Sequence, residues 1–290
     1  MKQNLFQPRR RIEKRYEDAI KGIMGLMKRK LNGVSSPFVL LKTLRGIARS
    51  PTYDRLARQA AEAMATHLFT DGARSWREAA LKGSKGRLIY KALRRELKGN
   101  VTYWDIVERN ADLIKTMPLN FAKKATKMMA ENAMTGERSE SKIEDIMRLW
   151  PHYTKAHARL IARTETSKAQ TALTRTRSEE MGVRWYVWKT ERDARVRKSH
   201  RKMDGVIVQW GDPPSPEELV HEKSYGHYDA GDIFNCRCYP RPLLNYDDVS
   251  WPHKVYYGGR IQTMTLYRFK ALNGGGSLRR PILAVRYPGI

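Results

Sequence analysis

Cysteine is nearly missing from this chain: there are two in 290 residues, both inside the tetrapeptide NCRC at 235–238. So small a supply excludes a disulfide framework and fits synthesis in a reducing cytoplasm. Acidic side chains are scarce beside basic ones, 30 against 56, which leaves a net charge of +26. Long apolar runs are missing too. No stretch approaches the roughly 18 consecutive apolar residues that read as a membrane span, so no membrane partner is expected. The basic opening, MKQNLFQPRRRIEKRYEDA, has no apolar segment behind it and does not read as a secretory signal. The glycine-rich loop with which nucleotide enzymes cradle phosphate is also lacking.

What is present is positive charge, spread along the chain. Residues 1–50 carry 13 basic and 3 acidic side chains, and the stretch from Tyr246 onward carries 7 and 2. A field of this sign attracts polyanions and steers their approach. Nucleic acid, an acidic protein surface and an anionic membrane face each answer such a field, and non-specific electrostatic binding of double-stranded DNA is the expectation. A chain of this length has room for one large or two modest domains, each with a buried core.

The first half reads as helices. Ile12, Tyr16, Ile20, Ile23 and Met27 recur at three- and four-residue steps, opposite a basic face. LNGVSSP interrupts this helix, and another is expected over 38–47. Ser50 followed by Pro51 is a strong start signal for a third. KGSKG divides the helical stretch that follows, and Pro118 is expected to end one helix and start the next. Ser141 with Glu144 forms a capping-box pattern ahead of Ile143, Ile146 and Leu149. A long helix is expected from about Thr154 to Met181, stopped by Gly182.

At Gly182 the period changes. VRWYVWKT and GVIVQW mix aromatic and β-branched residues in short runs and read as strands. The fold class is therefore α+β: a predominantly helical N-terminal region, then a small mixed module with short strands, then a C-terminal arm. The expected boundaries are 1–104, 105–245 with its compact part from about 150, and 246–290.

The chemistry-bearing residues fall in the second half, in IARTETSKA (161–169), TERDARVRKSH (190–200), MDG (203–205) and NCRC (235–238). The C-x-C pair admits three readings. As a metal site, Cys236 and Cys238 supply thiolates and His200 an imidazole, with His227, His221 or Asp193 completing a tetrahedron. As a catalytic site, a thiol would be activated by His200, or His200 and Asp204 would serve a metal-dependent nuclease. As architecture, the sulfurs are small buried hydrophobes and Asn235 shapes a turn. Arg237 would then take the carboxylate of Asp193 or Glu165 as a bidentate partner. The architectural reading is the expectation, with no catalysis and no cofactor; a structural zinc on His200, Cys236, Cys238 and His227 is the alternative. Arg195, Arg197 and Arg201 would line one face of an extended segment, available to phosphates or to internal ion pairs.

The order of these pieces, an ARTE helix, a T..D.RvR..H..ldG segment and a closing NCRC, resembles the phage head morphogenesis family of Mu protein F-like minor head proteins, over roughly residues 105–245. The residues that carry the resemblance are Arg163, Glu165, Asp193, Arg195, Arg197, His200, Asp204, Gly205, Asn235, Cys236, Arg237 and Cys238. The resemblance implies a structural minor capsid protein of the virion, sitting inside the head at the portal vertex. It implies contact with the portal protein and with capsid or scaffold proteins, and a role in genome packaging or ejection. The chain lacks the proline-bearing approach to NCRC that is common in the family. A metal-dependent DNA-processing nuclease built on His200, Cys236 and Cys238 is the alternative.

Overall fold

A computed structural model describes residues 5–82, 86–96, 101–134 and 143–273. The elements run α1 (Arg10–Leu31), α2 (Pro37–Ala48), α3 (Pro51–Lys82), α4 (Gly86–Glu96), α5 (Val101–Met134), α6 (Ile143–Glu180), β1 (Trp185–Thr190), α7 (Lys198–Met203), β2 (Ile207–Gln209), β3 (Cys238–Pro242), β4 (His253–Tyr257), β5 (Arg260–Met264) and α8 (Leu266–Leu272). The chain divides into two compact units, one of Arg9–Leu68 with Tyr103–Thr166, the other of Met1–Pro8, Phe69–Thr102 and Ser167–Ile290.

The all-helical unit follows from its periodicity. In α1, Ile12, Tyr16, Ile20, Ile23 and Met27 are all buried, and Leu40, Leu44 and Ile47 do the same in α2. Ser36 caps α2 by accepting the Val39 N–H at 3.2 Å. Pro118 does not divide the chain: α5 passes through it without a break. Proline lacks the N–H that would bond the carbonyl four residues back, here that of Ile114. The hydroxyl of Tyr53 donates to that carbonyl at 2.8 Å, so the helix continues without an orphaned acceptor. Likewise α6 begins at Ile143, earlier than the Thr154 expected, and contains Pro151. The capping pattern at Ser141 lies outside the described residues.

The second unit is organised by a five-stranded sheet of order β3-β1-β2-β4-β5. β1 is antiparallel to both β2 and β3, β2 runs parallel to β4, and β4 is antiparallel to β5. Successive side chains of β1 point to opposite faces, as the strand period demands. Trp185 and Val187 join Ile207, Val255, Met264 and Phe269 on one face. Tyr186 and Trp188 join Val208, Tyr228, Cys236 and Cys238 on the other. Buried in this way, the aromatics of β1 are sheet core. Residues 253–272, read from sequence as part of an arm, supply β4, β5 and α8; residues 274–290 of that arm lie outside the described residues. The link between β4 and β5 is Gly258-Gly259, both at positive φ (59° and 76°), the backbone that a tight hairpin turn requires.

This unit also holds an ion pair that the sequence conceals. Arg177 of α6 and Glu96 of α4 are 1% and 2% exposed and meet at 2.8 Å. The Arg177 guanidinium also donates to the Phe69 carbonyl at 3.0 Å and lies over the Phe69 ring. Burial pulls its pKa down from the ordinary value, and Glu96 opposes that pull.

Candidate functional site

The short helix α7 sets up the site. Ser199, His200 and Met203 face inward, while Lys198, Arg201 and Lys202 are exposed. From the opposite side the chain arrives through Asn235, whose φ of +52° lies in the left-handed region that asparagine tolerates. It then runs extended into β3. Residues two apart on an extended chain share a face, so Cys236 and Cys238 turn inward together and Arg237 between them turns the other way. That is the physical sense of C-x-C here: two sulfurs inside, one guanidinium across the chain.

Inside, His200 Nδ1 lies 3.3 Å from Cys238 Sγ and 3.7 Å from Cys236 Sγ. The ligating atoms of the three side chains lie within 4.8 Å of one another, and both cysteines are free thiols. On the far side of the ring, Nε2 meets the Tyr228 hydroxyl at 3.0 Å. That hydroxyl donates to the Glu217 carboxylate, with Oη to oxygen distances of 2.6 and 2.8 Å, and Ser199 Oγ donates to the same carboxylate at 3.1 Å. Burial, and then Glu217, raise the Tyr228 hydroxyl well above its ordinary pKa. Among the sulfurs, the hydrogen bond with Cys238 holds the Cys236 thiol well down, helped by His200 against the effect of burial. Burial and the neighbouring sulfur push Cys238 up. The buried indole N–H of Trp188 has no nitrogen or oxygen acceptor; its hydrogen bond to the Cys238 sulfur opposes that rise.

Outside, Arg237 clasps Asp193 with both arms: Nε donates to Oδ1 at 2.8 Å and Nη2 to Oδ2. The backbone reinforces this, since the Glu191 N–H donates to the Arg237 carbonyl at 2.8 Å. Burial opposes ionisation of Asp193, but the Arg237 and Arg195 N–H bonds outweigh it and hold the carboxyl below its usual range. The segment 191–197 is a turn, and not the extended run expected for Arg195, Arg197 and Arg201. Asp193 Oδ1 captures the Arg195 N–H at 3.0 Å, a side-chain bond that competes with extended structure. Arg195 is exposed, Arg197 lies over the Phe234 ring and donates to its carbonyl, and Arg201 donates to the Ala194 carbonyl.

The remaining sequence candidates fall elsewhere. Asp204 accepts the Thr190 N–H at 3.0 Å and pairs with Arg192, so it serves the turn that Gly205 completes. His227 is exposed, with its ring Nδ1 2.9 Å from the Pro213 carbonyl, and it does not join the cluster. Arg163 pairs with Glu13 at 3.2 Å and Glu165 with Arg109 at 3.2 Å, within the helical unit. Arg237 therefore takes Asp193, and Glu165 has another partner. Sequence reasoning missed Glu217 and Tyr228, and also Asp229, which bonds Tyr186 at 3.1 Å and Arg175 at 3.3 Å. Burial raises the Asp229 carboxyl to about 6, against the pull of Arg175 and Tyr186.

Residues 122–240 match the family described as Phage Mu protein F like protein. Over this stretch the chain is similar to that family. The matched segment holds the inner cluster and the Arg237–Asp193 clasp, whereas β4 and β5 lie beyond it. A Haemophilus influenzae protein described as uncharacterized is 31% identical over 139 residues, which is 48% of this chain and 29% of that protein. The chain thus spans less than a third of that relative's length. No solved structure matches. No helix among the described residues is long and apolar enough to cross a membrane.

Proposed function

We propose that this chain is a structural minor head protein of a tailed phage or prophage, acting inside the capsid at the portal vertex. Its partners would be the portal protein, neighbouring capsid or scaffold subunits, and packaged double-stranded DNA, with a part in genome packaging or ejection. The observation that carries this reading is the Mu F-like match over 122–240. The net charge of +26 supports it independently, because a filled head is dense with phosphate. A non-catalytic role is supported by the state of the cluster. His200, Cys236 and Cys238 are 1%, 5% and 1% exposed, and both ring nitrogens of His200 are engaged. A general base must reach its substrate's proton, and this histidine is enclosed.

The test is affinity capture of the tagged chain from cells producing the phage head proteins, read by mass spectrometry. The reading predicts recovery of the portal subunit. It also predicts DNA retention that is independent of sequence and falls steeply with salt. Plasmid cleavage by the pure protein with Mg²⁺, Mn²⁺ or Zn²⁺, abolished by His200→Ala, would overturn it in favour of a nuclease.

A further inference from the structure

Two stretches of chain far apart in sequence deliver one imidazole and two thiols to one buried point. We infer that His200, Cys236 and Cys238 hold a single thiophilic closed-shell metal ion, zinc(II) or copper(I), as a structural centre of the sheet unit. This goes beyond the head-protein reading and does not depend on it.

A tetrahedral ion with sulfur at about 2.3 Å and nitrogen at about 2.0–2.1 Å sets those two atoms roughly 3.6 Å apart. The two observed separations, 3.3 and 3.7 Å, fall on either side of that value.

The tautomer of His200 points the same way. Tyr228 has one hydroxyl proton, and its bond to the Glu217 carboxylate uses it. The phenol oxygen can then only accept from His200 Nε2, at 3.0 Å. A neutral imidazole protonated on Nε2 carries its lone pair on Nδ1, the nitrogen that faces both sulfurs. Carboxylate-backed histidines of this kind are how proteins orient imidazole ligands on metals; here the Tyr228 hydroxyl bridges the two groups, whose nearest atoms, His200 Nε2 and Glu217 Oε1, are 3.5 Å apart.

One lone pair accepts one S–H proton, so the imidazole takes one thiol and the second bonds only the neighbouring sulfur. A cation on that lone pair uses both sulfurs, each giving its proton to solvent as the ion binds. The indole N–H of Trp188, which has no nitrogen or oxygen acceptor and bonds the Cys238 sulfur, fits a site whose sulfurs are acceptors only. Soft thiolates select zinc and copper(I) over harder cations. Among the described residues no fourth histidine, cysteine or carboxylate completes the set. Copper(I) is satisfied by three donors, whereas zinc would add a water.

The test uses untagged full-length protein made in medium supplemented with zinc or with copper, gel-filtered under reducing conditions and analysed for metal. The inference predicts about one ion per chain, and the metal recovered separates the two ions. Cys236→Ser and Cys238→Ser should each cut bound metal by about tenfold or more. Tyr228→Phe keeps all three donors; it should weaken affinity by about 10- to 100-fold in competition with a chromophoric chelator. Because cysteine variants can fail by misfolding, wild-type protein made with cobalt(II) supplies a second readout, thiolate-to-cobalt charge-transfer absorption. Wild-type protein with less than about a tenth of an ion per chain in both media, and no thiolate-to-cobalt band, overturns the inference. Unchanged affinity in Tyr228→Phe overturns the orienting role given to Tyr228 and Glu217.

Discussion

Replacing Arg237 by methionine keeps the length of the side chain and removes the fork that holds Asp193. The Arg237 side chain is 9% exposed and that of Asp193 is 28%, which places the pair between two measured regimes. Breaking a fully buried pair costs about 3–5 kcal/mol, and an exposed pair contributes about 0.2–1 kcal/mol. With one partner enclosed and the other partly wet, Arg237→Met should cost about 2 kcal/mol. Arg237→Lys restores charge without the two parallel bonds and should recover less than half of that loss. The assay is a double-mutant cycle by denaturant unfolding at neutral pH, with Arg237→Met, Asp193→Asn and the combination. A coupling energy of about 1–2 kcal/mol is expected. Because the clasp holds Asp193 below its usual range, its contribution is present above the ordinary carboxylate pKa and lost as pH falls through the folded value. Additivity within about 0.3 kcal/mol would refute the claim that the clasp closes the 191–197 turn onto the start of β3.

Three further predictions concern the same unit. Gly231 has a φ of +94°, and a Cβ there would meet Thr171 Oγ1 at 2.5 Å and the Cys238 carbonyl at 3.1 Å; Gly231→Ala should lower the midpoint of thermal unfolding by more than any exposed glycine substitution. Arg177→Met strands a buried carboxylate and should cost about 3–5 kcal/mol, much of it recovered by adding Glu96→Leu; Gly72→Ala, whose Cβ would run into the Arg177 guanidinium, should be destabilising by the same route. Asp229, with a folded pKa of about 6 against 3.8, binds its proton more tightly folded than unfolded. Stability should therefore fall by on the order of 3 kcal/mol as pH rises from below the ordinary carboxylate range through about 6, and Asp229→Asn should flatten that slope in unfolding curves.

The helices were legible because their burial follows the helical period, as Ile12 through Met27 show, and β1 and β2 because aromatic and β-branched residues crowd short runs. The β4–β5 hairpin was legible in principle: HKVYY and RIQTM flank Gly258-Gly259, a strong turn signal, but scattered aromatics, NGGG at 273–276 and the terminal prolines gave the stretch the look of an arm. Pro118 misled for a different reason. The rescue of its orphaned carbonyl comes from Tyr53, 61 residues from Ile114, which no local window contains. The site was half legible. NCRC and the aspartate–arginine run announce a clasp through residue type and alternation. Glu217 closes a proline-rich loop and Tyr228 lies in the irregular stretch after it, neither with any period, and their role appears only when tertiary folding sets them behind His200. Arg177 is one basic residue among many on a helix, and only burial sets it apart.

The most direct measurement of the central claim is the composition of phage heads purified by sedimentation from producing cells. A structural head component predicts that the chain co-sediments with the portal subunit, at a fixed ratio to it, in heads assembled before DNA entry. A chain found only in the soluble fraction, at no fixed ratio to any head protein, would contradict it.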